Sequence, residues 1–207
     1  MAKLPAPPLP EVLRGTRPEL VRLAAGVTLW RIYRRGGEHA LGWSSFRSFG
    51  PRDARFDHHL PPPRDQERAI CYTAREPETC VAEVFQAERR IEGLVDAPWL
   101  VGFALAHDVF LLDLTGRWPT RAGASMAIHS GPRAVARAWS RAIYQAFPEA
   151  QGLLCCSSMD ANRHAVVLYE RARGAMPQRP ELNRALSDPD LLPFLGDAAR
   201  AFGYQLG

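Results

Sequence analysis

Four polar side chains stand in stretches otherwise suited to a protein core. Arg31 interrupts LWRIY, Tyr72 sits in ICYTA, Glu83 follows in the segment after that strand, and Ser157 ends GLLCCS. A charged group inside an apolar element is paired or functional. A guanidinium meets phosphate oxygens with two hydrogen bonds. A carboxylate stabilises developing positive charge, a phenol offers a flat face with a polar tip, and a hydroxyl holds a polar ligand group. Each residue also has a plain structural reading. Arg31 can be an edge-strand surface residue, Tyr72 a core aromatic, Glu83 a solvated helix residue and Ser157 a strand-end cap. Only together do they point to a site.

A second chemistry uses Ser157 or Cys156 as the nucleophile of a hydrolase. It needs a general base, and His164 is the nearest histidine in sequence. The GxSxG elbow is absent, as are GxGxxG, GxxxxGK[ST] and HExxH. A third reading is a non-catalytic binding module in which Arg31 and Glu83 form a structural ion pair. Cys71, Cys80, Cys155 and Cys156 show no CxxC spacing, and the adjacent His58 and His59 are expected to diverge. No metal site is expected.

The elements that must position these groups are legible from periodicity. Residues 27–33, 68–73, 99–106, 109–114, 152–157 and 165–169 read as strands, with 182–186 as a possible strand. A tight turn at His107–Asp108 is expected to join the third and fourth. Residues 77–87 read as a helix, with Pro77 suited to its first position and Glu76 and Glu78 to its positive end. Cys80, Val81, Val84 and Phe85 form its apolar stripe, with Glu83 at the margin. Residues 131–147 and 188–201 read as further helices, and 11–25 as a short helix or wrapped segment. Residues 34–67 are rich in Arg, Gly, Ser, Pro and His without periodicity, and an irregular stretch this long is usually functional. Helices and strands mix without a strict βαβ rhythm, which predicts an α+β fold with a mixed or antiparallel sheet core flanked by helices.

The chain has 207 residues, 46% of them hydrophobic, enough for one domain with a proper core. Its net charge is +4, but the arginines are spread along the chain, which disfavours direct nucleic-acid binding. No apolar run approaches the roughly 20 residues of a membrane span. The start, MAKLPAPPLPEVLRG, lacks the apolar stretch of a secretory signal, so the cytoplasm is the expected location, with reduced thiols.

LWRIY, ARFD with Arg55, AICYTAREPETCVAEVF and GLLCCSSMDANRHAVVLYE resemble, in order and spacing, the RES domain family, named for its Arg, Glu and Ser. The segment YTAxxPETxxAEVF is the most specific piece. Residues 1–26 then form an N-terminal lead-in and 27–207 the RES domain. Cys155 stands where the family usually carries an aromatic or polar residue, and Ser158 where an Arg often follows; Ser157 is taken as the matching serine.

The resemblance implies an ADP-ribosyltransferase-like fold and the toxin of a bacterial toxin–antitoxin pair. It implies breakdown of NAD⁺ as substrate, by hydrolysis, phosphorolysis or ADP-ribosyl transfer, with no separate cofactor. The implied partner is an antitoxin with an Xre-type helix-turn-helix domain. Cleaving the nicotinamide–ribose bond passes through an oxocarbenium-like state. On that reading Glu83 stabilises the cation, Arg31 and Arg55 hold the pyrophosphate, Tyr72 faces the nicotinamide, and Ser157 bonds the carboxamide or a ribose hydroxyl. Arg55 lies in the long polar loop, which is expected to close over the ligand.

Overall fold

The computed structural model describes residues 3–38 and 40–207. After one helical turn at Pro10–Leu13 (α1) the chain enters a sheet at Leu20–Leu23 (β1) and Thr28–Arg34 (β2). Arg47–Gly50 (β3) and the long Arg64–Ala74 (β4) lead to the helix Pro77–Val84 (α2). Arg90–Ile91 (β5), Pro98–Ala104 (β6) and Val109–Asp113 (β7) follow, then the short Trp118–Arg121 (α3) and the 3₁₀ turn Met126–His129. Arg133–Ala146 (α4), Gly152–Cys156 (β8), His164–Tyr169 (β9), Leu182–Ala185 (β10), Leu192–Phe202 (α5) and Gln205–Leu206 (β11) complete it.

The main sheet runs β1-β7-β8-β9-β4-β2-β6-β10, with β3 beside β4. Only β7 and β8 pair parallel within it; the other neighbours are antiparallel. This is the mixed α+β architecture expected. The turn at His107–Asp108 is not a hairpin, however. β6 pairs β2 and β7 pairs β1, with one register across the break, from Leu20↔Leu112 through Leu23↔Val109 to Thr28↔Ala104 and Arg34↔Pro98. Two continuous strands therefore make one long ribbon that bends at a corner. Asp108 pins that corner, accepting from the Ala25 N–H at 2.9 Å and from Arg22 Nε at 2.9 Å. A two-residue turn and a two-residue corner look alike in one strand's sequence.

The bend folds the sheet into two halves, and strand alternation assigns each side chain to a layer. Leu29 and Tyr33 of β2 join Val101 and Phe103 of β6 against Cys71, Leu111, Val166 and Leu168 of the other half. Trp30 and Ile32 face the opposite way, toward Val81 and Phe85 and toward Leu195 and Ala198 of α5. On the outer side of the other half, α4 lays Ala136, Trp139, Ile143 and Ala146, at helical spacing, over Ile70, Leu112, Leu153 and Val167. Each fully buried large aliphatic contributes about 1.5–3 kcal/mol. The lead-in belongs to these layers: Leu4 and Leu13 are buried on the α4 side, and the Trp139 indole donates to Pro5 O at 2.8 Å. The helix expected within 11–25 is limited to one turn plus β1. The last helix begins at Leu192 rather than 188 because the 3₁₀ turn Pro189–Leu191, capped by Asp188, precedes it.

The stretch 34–67 is irregular, as expected, but it is not a free flap. Phe56, Asp57, His58 and His59 are 3%, 0%, 0% and 0% exposed. Asp57 Oδ1 accepts from His59 Nδ1 at 2.5 Å, and its Oδ2 from Arg47 Nη2 at 2.8 Å and the Arg52 N–H at 2.7 Å. His58 and His59 do not diverge: their ring centroids lie 5.3 Å apart, and the His58 ring lies tilted at 4.5 Å from both Tyr144 and Tyr169. No cluster of three potential metal ligands occurs among the described residues.

Glu170 closes this network, accepting from the Ala69 N–H at 2.9 Å and the Tyr144 hydroxyl at 2.6 Å, with His58 Nε2 3.5 Å away. Burial opposes its charge, but His58, the Ala69 amide and Tyr144 outweigh burial and hold its pKa at about 2. A lowered carboxylate pKa stabilises the fold above the unfolded value, and that stability is lost as pH falls through the folded one. Melting temperature is therefore expected to fall as pH drops from about 4.5 toward 2. Glu170→Gln should flatten this limb in thermal melts across that range.

Candidate active site

β2 and β4 meet at one register point, Trp30↔Ala74. Away from it the two halves of the sheet part, and a wedge-shaped cleft of about 390 Å³ lies between them. Arg31, Arg55, Tyr72 and Glu83 all line it, so residues from four separated stretches share one cavity.

Arg31 shares the face of β2 that carries Leu29 and Tyr33, so alternation turns it into the protein, where it is 7% exposed. Its Nη1 donates to Trp43 O at 2.9 Å and Ser45 O at 2.8 Å, which ties the irregular stretch to the cleft wall. It forms no ion pair with Glu83, so the structural pair envisaged for a binding module is not made. Tyr72 lies opposite Val167 in the β4–β9 ladder. Its hydroxyl is buried without a partner among the described residues, and burial pushes its pKa well up.

Glu83 sits in the last turn of α2, at the margin of the apolar stripe. Its Oε1 accepts from the Ser157 hydroxyl at 2.6 Å and the Ser158 N–H at 2.8 Å. The Ser158 hydroxyl lies 3.3 and 3.4 Å from its two carboxylate oxygens, and Gln86 Nε2 3.3 Å from Oε2. Ser157 Oγ in turn accepts the N–H groups of Met159 and Asp160 at 3.1 and 3.0 Å. Its hydroxyl is thus turned to the carboxylate and to its own turn, not toward the cavity. Ser158, not Ser157, is the serine that lines the cleft.

This geometry does not pair a serine or cysteine nucleophile with a base: Cys156 lies opposite His164 in the β8–β9 ladder, but their side chains make no hydrogen bond. The Ser157 hydrogen goes to a carboxylate and no imidazole bonds its oxygen. Burial pushes the Cys155 and Cys156 thiols up, away from the reactive thiolate.

Arg55 Nη1 donates to Gly131 O at 2.5 Å, so the residue is fastened to the segment before α4 rather than carried on a lid. Burial lowers its pKa, and Arg133 beside it does the same. Arg133, in the first turn of α4, was missed in the sequence. A cation at the positive end of a helix is unfavourable by itself and could have been read as a sign that an anion is needed. Asp53 supplies one, bound by Arg137 Nη1 at 2.6 Å and Arg133 Nη1 at 3.0 Å. Arg137 and then Arg133 hold the Asp53 carboxyl below its usual range. His129 also lines the cleft and was likewise missed. A lone histidine before a Gly-Pro pair carries no local signal.

No helix among the described residues is long and apolar enough to cross a membrane. No curated protein matches the sequence. The fold is similar to a chain in the crystal structure of the M. tuberculosis MbcT–MbcA toxin–antitoxin complex, with a TM-score of 0.60 and 19% identity. That similarity covers 93% of this chain and 97% of the other. The family model of the RES domain matches residues 28–189, which contain Arg31, Arg55, Tyr72, Glu83 and Ser157. The chain therefore belongs to the RES domain family.

Proposed function

We propose that this protein is the toxin of a toxin–antitoxin pair and that it consumes NAD⁺ by breaking the nicotinamide–ribose bond. The observation that carries the reading is the carboxylate of Glu83, fixed by two donors on one oxygen at the edge of a cleft lined by arginines. As the bond breaks, its electron pair passes to the ring nitrogen and the pyridinium becomes neutral nicotinamide. Positive charge is left on the ribose, and the oriented carboxylate stabilises it. The acceptor then bonds to the ribose carbon and releases a proton. Arg31, Arg55 and Arg133 provide the cations a pyrophosphate needs where no glycine-rich loop exists. Tyr72 presents its ring and its unpartnered hydroxyl to the ligand.

Ser157 acts on this reading as a positioning residue for Glu83. Ser157→Ala is expected to lower kcat about tenfold, one hydrogen bond's worth, with KM nearly unchanged. The Ser158 N–H still holds the carboxylate. Steady-state kinetics on NAD⁺ separate this from a ligand-binding role, in which KM would rise.

Similarity to a chain of a toxin–antitoxin complex supports a protein partner, which we take to be an Xre-type helix-turn-helix antitoxin meeting the toxin in the cytoplasm. The test is incubation of the pure protein with NAD⁺, with and without phosphate, followed by mass spectrometry. Nicotinamide release supports the reading. The mass of the other product assigns water, phosphate or a protein side chain as acceptor. Intact NAD⁺ after prolonged incubation would remove the proposal.

A further inference from the structure

His129 is 4% exposed and ends the 3₁₀ turn before α4. Its Nε2 lies 2.9 Å from Leu114 O. A carbonyl only accepts, so Nε2 carries the proton and Nδ1 keeps its lone pair. Nδ1 is buried and has no partner among the described residues, yet the residue lines the cleft. Burial lowers the pKa of this imidazole, and the Arg55 guanidinium acts in the same direction. Leu114 O, Asp113 and His164 are the other groups that bear on it. A ring kept neutral in this way accepts a hydrogen bond rather than a proton.

A neutral lone pair repels a phosphate, so Nδ1 itself is not a pyrophosphate contact. It calls for an uncharged donor. Part of the lining is apolar: Phe56 meets the imidazole edge-on, with ring centroids 6.2 Å apart at 67°, and Ile70, Val167 and Cys155 line the same cavity, while the Arg55 guanidinium that bears on the ring is tied to Gly131 O. These surroundings suit an aromatic ring bearing a primary amide.

Resting on the NAD⁺ reading, we propose that His129 reads the carboxamide of the leaving ring, accepting its N–H at Nδ1. It thereby selects substrates whose leaving group carries an uncharged N–H donor. An unmatched buried acceptor is unfavourable, so a ring without that donor is rejected.

The test removes the two partners independently and measures their coupling. Affinities of nicotinamide and of 3-acetylpyridine, which replaces the amide by a methyl ketone, are measured by calorimetry. The proteins are the wild type, His129→Leu and His129→Gln. The wild type is expected to bind nicotinamide about tenfold more tightly. The leucine variant should bind both rings within about twofold. Glutamine can still donate to Leu114 O and accept the amide, and should keep part of the preference. If the leucine variant fails to fold, judged by melting, the glutamine variant and the wild-type preference decide. The preference should hold between pH 7 and 9 and vanish as His129 protonates, below the usual histidine range.

Equal binding of both rings by the wild type, or no binding of either, overturns the assignment. So does an undiminished preference in the leucine variant. A ribose hydroxyl as the true partner would show as equal weakening of NAD⁺ and its acetylpyridine analogue in that variant. Ring binding needs no turnover, so a wild type that leaves NAD⁺ intact but discriminates between the rings defeats the catalytic reading alone.

Discussion

Glu83→Gln is expected to slow nicotinamide release about a thousandfold, the upper range for removing one oriented electrostatic contact, without unfolding the protein. Glutamine has nearly the same shape, and its carbonyl oxygen can still accept from the Ser157 hydroxyl and the Ser158 N–H. Only the charge is lost, so the effect falls on the state in which the ribose is cationic. The loss should appear in kcat, with substrate affinity changed severalfold at most. Release of nicotinamide, followed chromatographically beside melting curves, checks both halves of the expectation. A glutamine variant that keeps wild-type kcat would mean that another group carries the chemistry.

Asp57→Ala is expected to destabilise the protein by about 3–5 kcal/mol, the usual consequence of removing one member of a buried charged network. The melting temperature should fall by about 10 °C for a chain of this size. Asp57 has no exposure and serves the His59 ring and N–H, Arg47 and the Arg52 N–H at once, so alanine leaves four donors without this acceptor. Burial raises the pKa of this carboxyl, but His59, the Arg52 amide and Arg47 together hold it far below the usual range. Arg47 lines the cleft, so NAD⁺ affinity should weaken along with stability. Denaturant titration and calorimetric binding measure the two effects. A variant as stable as the wild type would show that the loop contributes no net stability through this acid.

The strands and helices were legible where one face had to be buried, because alternation and helical spacing are local. Arg31, Tyr72 and Glu83 were found the same way, as polar groups breaking such patterns. What was not legible depends on distant partners. Ser157 was expected to touch the ligand, but its hydroxyl bonds Glu83, a relation set by where the turn 157–160 meets α2. The stretch 34–67 was expected to close over the ligand, yet its His58 and His59 are buried, His58 against Tyr144 of α4. Only a partner elsewhere, such as Tyr144 or Glu170, makes such polar residues interior. His129 acquires meaning solely from Leu114 O and the cavity wall.

On the function proposed above, the bent ribbon also bears on when a growing chain becomes active. β2 meets β4 at a single register point and gains its full-length antiparallel partner β6 only after residue 98, and the clamp on Glu83 arrives with residues 157 and 158. Pairings so far apart along the chain form late and slowly. During synthesis, a ribosome-bound fragment ending before Ser157 holds Arg31, Tyr72 and Glu83 yet has no assembled machinery. On that reading, chains cut short upstream of that serine are expected to be inactive, and an antitoxin would need to meet only chains that are nearly complete.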